Sequence, residues 1–276
     1  MRLQNMYKST QSVIGKINKL TSDISLKMKS NMVREFLQES EIIPHIQPVF
    51  GKNGETVIGC EALLRIRNNG ELLTPSYFIR DLENYNMLDE VVCQIFRSVI
   101  VFFDNYKMKF PTGFYFAFNI YAGQLKSRAV VDEILSFNNL YEDTGLVIEI
   151  VDRGVVQLDD EAIAIMDTLM EHGVQFAIDD FGTGATQLKI IEHIGFSTIK
   201  VDRELTIHSC GELVYKNVIG AIVMLSHKLG IKVIADGVES SEQIKLLKDA
   251  GVDGMQGFFL AKPMEMDQFV RSYINR

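Results

Sequence analysis

An α/β fold is predicted: a TIM-like (β/α)8 barrel with one antiparallel strand, preceded by an N-terminal helical extension. Three observations predict it. From about residue 42 onward, eight apolar, β-rich runs alternate with amphipathic helical stretches, the rhythm of strands covered by helices. Most runs are apolar throughout rather than at every second residue, so both sheet faces are buried and the strands lie parallel. Eight such runs in a chain of 276 residues suit a closed barrel better than an open doubly wound sheet, because barrels of about 250 residues are commonly one domain.

The elements follow in order. Residues 1–34 carry seven basic side chains (Arg2, Lys8, Lys16, Lys19, Lys27, Lys29, Arg34) against Asp23 alone, a balance of +6. Val13, Ile17, Leu20 and Ile24 form one apolar stripe at helical spacing, extended by Met28. This basic amphipathic extension either packs on the barrel, pairs with a partner helix, or lies on a membrane surface; Gly15 weakens all three. Residues 35–276 form the barrel domain, with no Pro-, Ser- and Gly-rich linker inside it. The strand candidates are HIQPVF (45–50), VIGCEALLRI (57–66), FYFAFNI (114–120), LVIEIV (146–151), VQFAID (174–179), STIKVD (197–202), IKVIAD (231–236) and GVDGMQGFF (251–259). Helical stretches are expected near 76–104, 127–137, 159–172, 186–194, 212–229, 240–249 and 265–274. The first two strands are joined by the short turn GKNGE (51–55) with no helix, so they form a hairpin and one strand runs against the rest.

Composition bounds the functions. With 47% hydrophobic and 23% charged residues, the chain builds a large core. No apolar run approaches the ~20 residues that span a bilayer. The opening MRLQNMYKST has no secretory pattern. Cys60, Cys93 and Cys210, an odd number without CxxC spacing, fit a reducing cytoplasm. The net charge of −8 leaves −14 on the body once the basic extension is set aside, so direct DNA binding is not expected. Such a body still holds a phosphorylated ligand when cations invert the local charge.

Polar residues recur at one end of these strands: Glu61 in the second, then Asn119, Glu149 with Asp152, Asp179 with Asp180, Lys200 with Asp202, Asp236 and Gln256. In a parallel barrel these ends share the face where active sites are assembled. Each residue alone has a plainer reading, as a turn former, a cap or a neutralising partner; the recurrence is what argues for a site. The carboxylates repel one another unless protonated or bound to cations. Oxygen ligands without a His or Cys cluster favour Mg2+ or Mn2+, and adjacent aspartates can bridge a metal pair of the kind used on phosphodiesters. GTGAT (182–186) lacks the third glycine of a dinucleotide fingerprint. No HExxH or GxSxG motif is present.

At these residues the sequence resembles the EAL family of cyclic di-GMP phosphodiesterases. Glu61-Ala62-Leu63 continues to Leu64 and Arg65 as the EALxR pattern. DDFGTG (179–184), IKVDR (199–203), ADGVE (235–239) and QGFFLAKP (256–263) follow in the family's order. The resemblance runs from about Gln47 to Met264. It implies metal ligands at Glu61, Asn119, Glu149 and Asp179, a second-metal ligand at Asp180, and Asp236 close to that metal. Glu61, Asp180, Asp236 and Lys200 would form the catalytic set, with Lys200 orienting or deprotonating the attacking water. Gln47, Leu63, Arg65, Asp202, Glu239 and Gln256 would bind the nucleotide, and Asp152 would steady the loop after DDFGTG. Mg2+ or Mn2+, two per site, would be the cofactor.

Three departures stand out. Asp152 and Asp236 stand where the family usually has Glu, each drawing its carboxylate back by one methylene. Ala185-Thr186-Gln187 replaces the common Tyr-Ser-Ser. The implied activity is hydrolysis of cyclic di-GMP to linear pGpG. The alternative is a weakly active or inactive member that senses the nucleotide or regulates a protein partner, which the basic extension and the two shortened carboxylates favour. A homodimer through a barrel helix or residues 13–28 is a further expectation. No sensor or GGDEF-type segment is read in these residues, so regulation is expected from expression or partners.

Overall fold

The computed structural model describes residues 26–105, 110–141, 143–151, 158–182 and 195–274. The stripe from Val13 to Ile24, Asp152, Ala185-Thr186-Gln187 and the helical stretch 186–194 lie outside the described residues. The described chain divides into two compact units.

One unit combines Ile66–Leu88 with the described part of Met1–Ile42. Helix α1 (26–38) runs through residue 34, where the charge pattern drew its boundary, with Leu26, Met28 and Met32 exposed. The first residues of β1 (Glu41–Gly51) and the last of β2 (Val57–Asn68) belong to this unit. They are tied by an Arg67–Glu41 ion pair at 3.0 Å, and Asn68 Nδ2 donates to Ser40 Oγ at 2.7 Å. Past a tight turn at Asn69-Gly70, β3 (Glu71–Leu73) pairs antiparallel with β2, Ile66 opposite Leu73. Helix α2 (Ile79–Asn84) buries Ile79 and Leu82. The single helix expected over 76–104 is interrupted here: Asn86 adopts φ +55°, a left-handed conformation that Asn tolerates and a helix does not.

The other unit, Ile43–Arg65 with the described part of Asp89–Arg276, contains the barrel. Its strands are β1, β2, β4 (Tyr115–Tyr121), β5 (Gly145–Val151), β6 (Gln175–Phe181), β7 (Thr198–Val201), β10 (Lys232–Ala235) and β11 (Gly254–Met255). The hydrogen-bonded order is β1-β11-β10-β7-β6-β5-β4-β2, and a β1–β2 pairing closes the ring. Every pairing from β2 round to β11 is parallel, whereas β1 runs antiparallel to β11. The one reversed strand is therefore the first, as the helix-free GKNGE turn requires. That turn is closed by Gly51 N–H to Thr56 O and Gly54 N–H to Gly51 O, both at 2.8 Å.

Helices α3 (Leu88–Asn105), α4 (Arg128–Leu140), α5 (Asp160–Glu171), α6 (Lys216–Lys228) and α7 (Ser241–Ala250) follow successive strands. Their caps are legible in sequence. Asp159 accepts from Ala162 N at α5, Ser240 accepts from Gln243 N at α7, and Gly251 ends α7 in the left-handed region. Strand parity sorts the core. On β4, Phe116 and Phe118 face outward and pack with Phe96 and Phe137, the Phe96 and Phe118 rings stacked at 4.0 Å. Inside, Ala117 meets Val147 and Ala177 beneath the rim, with Tyr115 against them. Small interior residues make room for that ring: a Cβ on Gly59 would lie 2.6 Å from Tyr115.

Three further expectations change. The run 251–259 supplies only Gly254–Met255 as strand, because turns at 257–261 bend the chain across the barrel mouth. Before α6 a hairpin, β8 (His208–Ser209) with β9 (Glu212–Leu213), turns at Cys210-Gly211, both with positive φ. The expected helix 265–274 opens with β12 (Met264–Glu265), paired to β1, then the short α8 (Met266–Phe269) and a wider helical turn. Among the described residues no helix is long and apolar enough to cross a membrane.

Candidate active site

Neighbouring parallel strands deliver the polar side chains to one rim. Glu61 of β2 stands opposite Ala117 of β4, Asn119 of β4 opposite Glu149 of β5, and Glu149 opposite Ala177 of β6. With a side-chain period of two, Glu61, Asn119, Glu149 and Asp179 point inward on adjacent strands. Between β6 and β7 the register slips between Ile178 and Phe181, and Asp180 takes φ +50°. Consecutive residues of a regular strand face opposite sides. The irregularity re-aims one of them, as bulges near functional sites do, so Asp179 and Asp180 both serve the rim.

Lys200 of β7 is the hub. Its Nζ lies 2.9 Å from Glu61 Oε2, 2.7 Å from Glu149 Oε2 and 3.7 Å from Asp179 Oδ1, fully sheltered from solvent. Glu61 also accepts from Asn119 Nδ2 at 2.5 Å and from Gln256 Nε2 at 2.8 Å. Burial alone would raise the Glu61 pKa, but the Lys200 charge and these three donors outweigh it, so Glu61 sits below the usual carboxylate range. For Glu149, burial and the Glu61 and Asp179 charges outweigh the charge and hydrogen bond of Lys200, and its pKa is raised well above normal. Burial opposes the charge on Lys200, yet Glu149 and Glu61 hold its pKa well above the ordinary value.

The outer part of the rim is more open. Asp180 is pushed up to about 7 by partial burial, by the Asp179 charge and by a hydrogen bond shared with Asp202. Asp202 Oδ1 also accepts from Glu204 N at 2.7 Å. Asp236 is raised by burial, and its Oδ1 accepts from Gly237 N at 2.6 Å. Gln47 donates from Nε2 to Ala261 O at 3.1 Å, bracing the mouth loop. Arg65 donates to Leu64 O at 2.7 Å, its pKa lowered by burial while Glu61 acts against that. Leu63 is half-buried beside them. Glu239 is placed by its backbone N–H, which donates to Gln243 Oε1 at 2.7 Å.

Glu61, Asn119, Glu149, Asp179, Lys200 and Gln256 thus meet directly, Asp180 meets Asp202, and Asp236 acts on Lys200 and Glu61 through its charge. Gln47 and Glu239 are held on rim loops. Three residues were not marked by the sequence: Tyr115, whose hydroxyl is driven up by burial and by Glu149, and two buried polar groups, Thr206 in the loop after β7 and Gln243 in the first turn of α7. Two steps of two back from Asn119 reach Tyr115; nothing in sequence marked the other two.

All the candidate ligand atoms are oxygens, which suits a hard divalent cation. Gln256 Oε1 is buried without a hydrogen-bond partner, an acceptor available to a cation or a donor. Among the described residues no three His, Cys, Asp or Glu side chains converge as a closed metal cage, and Lys200 stands between Glu61 and Glu149. The donor chemistry fits the ion, and the positive charge now at the cluster's centre is the lysine's.

The fold and the site together define a class: a barrel with a lysine-braced acidic rim at the carboxyl ends of its strands. The chain belongs to the EAL domain family, whose model matches residues 30–263. It is 29% identical over 241 residues to the cyclic di-GMP phosphodiesterase PdeL of Escherichia coli K12, covering 86% of this chain and 67% of PdeL. It is 32% identical over 231 residues to the probable cyclic di-GMP phosphodiesterase PdeN of the same organism, covering 82% of this chain but 44% of PdeN. The chain spans 49% of PdeG, another such relative. Among solved structures, the PaMucR phosphodiesterase in complex with cyclic di-GMP superposes with a TM-score of 0.69 at 26% identity, covering 83% of this chain and 99% of that one. An EAL domain protein from Listeria monocytogenes shares the fold, with a TM-score of 0.71 at 24% identity, covering 88% of this chain and 95% of that one.

Proposed function

We propose that this chain is a phosphodiesterase that hydrolyses cyclic di-GMP to linear pGpG with the help of Mg2+ or Mn2+. The observation that carries the reading is the cluster in which Lys200 joins Glu61 and Glu149 at 2.9 and 2.7 Å at the mouth of an EAL barrel. Glu61, Asn119, Glu149 and Asp179 would hold one ion, and Asp180, with Asp236 nearby, a second. A bound divalent cation supplies Lewis acidity toward the phosphate and a more acidic water. The chain's own residues do the rest. Lys200, delivered by β7 beside Glu61 and Glu149, would orient or deprotonate the attacking water. Glu61 is locked in place by three donors, so it need not reorganise during the reaction. Arg65 offers a planar fork to a phosphate oxygen. Gln47, Leu63, Asp202, Glu239 and Gln256 line the approach of the nucleotide.

A cytoplasmic setting, supported by the free thiols of Cys60, Cys93 and Cys210, and a homodimer belong to the same proposal. Light scattering that shows a monomer at high concentration would remove the dimer. The test of function is incubation with cyclic di-GMP, with and without Mg2+ or Mn2+, followed by chromatography. Metal-dependent pGpG is expected. Binding by calorimetry without product would replace the enzyme with a nucleotide sensor. That second reading is favoured by one observation: the Asp236 carboxylate is turned back onto the Gly237 amide.

A further inference from the structure

Two rim loops carry residues assigned above to the nucleotide and the ions. The loop after β7 carries Asp202, and the loop after β10 carries Asp236 and Glu239. Between them lie two polar side chains that meet the site residues only at their backbone atoms. Thr206 has no exposed surface, and Gln243 retains only 5%. The Thr206 hydroxyl lies 3.0 Å from both the Arg203 and the Asp236 carbonyl oxygens, so its proton bridges one loop to the other. Gln243, in the first turn of α7, donates from Nε2 to Thr206 O at 3.0 Å and accepts at Oε1 from Glu239 N at 2.7 Å. At the helix start Ser240 accepts from Gln243 N at 3.2 Å, and its hydroxyl also reaches Gln243 Oε1 at 3.4 Å, so the same amide meets both the cap and the two loops. The loops also meet at backbone level: Gly237 has φ +71°, and a Cβ there would collide with Arg203.

We infer that Thr206 and Gln243 are positioning residues, a stitch that sets the Asp236 peptide and the Glu239 backbone relative to the Asp202 loop. The inference rests on the phosphodiesterase reading for its kinetic consequence, but not for its structural one. Buried hydrogen bonds of this kind specify one arrangement because an unmade partner is costly in a dry site. The two arms reach different neighbours. Thr206 holds the peptide of Asp236, on the chemical side. Gln243 holds Thr206 and, in addition, Glu239, on the nucleotide side.

The test compares Thr206→Val, Thr206→Ser and Gln243→Leu in the full chain. Each is read by cyclic di-GMP kinetics and by amide hydrogen exchange of segments 202–206 and 236–239, which needs no turnover. In Thr206→Val, kcat should fall about tenfold with KM within about twofold, since a misplacement near the reacting centre acts on the chemical step. Thr206→Ser should recover most of the loss. In Gln243→Leu, KM should also rise by roughly tenfold, as binding contributed through Glu239 is lost. Exchange should quicken in 236–239 for Thr206→Val, and for Gln243→Leu in 236–239, where Glu239 N–H loses its acceptor, and also in 202–206. Unchanged exchange in both segments overturns the stitch whatever the kinetics, as does a loss that Thr206→Ser fails to repair. Quickened exchange in the variants of a parent that makes no pGpG supports the stitch and rejects the phosphodiesterase reading instead.

Discussion

The inner and outer parts of the rim are built from the same residue types yet behave differently. Inside, Glu61, Glu149, Asn119 and Gln256 surround a buried Lys200, and nearly every polar atom has a partner. Outside, Asp179, Asp180 and Asp202 crowd together, and their mutual repulsion with partial burial pushes Asp180 up to about 7. A single ammonium compensates the inner carboxylates because the barrel delivers it from β7 into their midst, where low dielectric strengthens the attraction. The outer aspartates lie only within longer reach of it, Asp179 at 3.7 Å. The inner part therefore arrives preorganised, whereas the outer part stores like charge that a divalent cation would relieve.

The largest effect is expected from Glu61→Ala. It removes the acceptor shared by Lys200, Asn119 and Gln256, and turnover should fall by roughly 10³-fold or more. Turnover within tenfold of the parent would refute the assignment of Glu61. Lys200→Met leaves Glu61 and Glu149 buried without their counter-charge, so urea unfolding should show a loss of about 3–5 kcal/mol. A loss below about 1 kcal/mol would mean that the two carboxylates relieve each other by taking up a proton. Asp236→Glu, which restores one methylene of reach, should raise kcat by about tenfold. A rate no faster than the parent would show that the shorter carboxylate does not limit the reaction.

The smallest effect concerns pH. The folded-state pKa of Asp180 is raised above its unfolded value, so the folded protein binds a proton that the unfolded chain has released. Stability of the metal-free protein should accordingly fall as pH rises from about 5 through 7. Calorimetric melting of the parent and of Asp180→Asn should show the larger fall in the parent. Parallel profiles would place the outer charge elsewhere.

Much of the fold was legible because the strands are short runs apolar on both faces, alternating with amphipathic helical stretches. The helix-free GKNGE turn marked an antiparallel hairpin, and the recurrence of polar residues at strand ends marked Glu61, Asn119, Glu149 and Asp179 as candidates for one rim. Boundaries were less legible where a single residue broke a continuous pattern. The left-handed Asn86 divides a stretch that is amphipathic on both sides, and the turns after Met255 end an apolar run that composition alone would continue. Asp152 falls outside the described residues, and its expected role at the loop after Asp180 stays a proposal.

The sequence by itself determined the barrel, its antiparallel opening hairpin and the candidate residues of the acidic rim. Periodicity and order along the chain are local properties that a pattern records. Only the tertiary structure decided how the charge is shared: that Lys200 pairs with Glu61 and Glu149, that a register slip turns both Asp179 and Asp180 to the rim, and that Thr206 and Gln243 join two loops. Those outcomes depend on distances between residues far apart in sequence, as between Glu61 and Lys200. Closure of the barrel sets such distances, and no local pattern contains them.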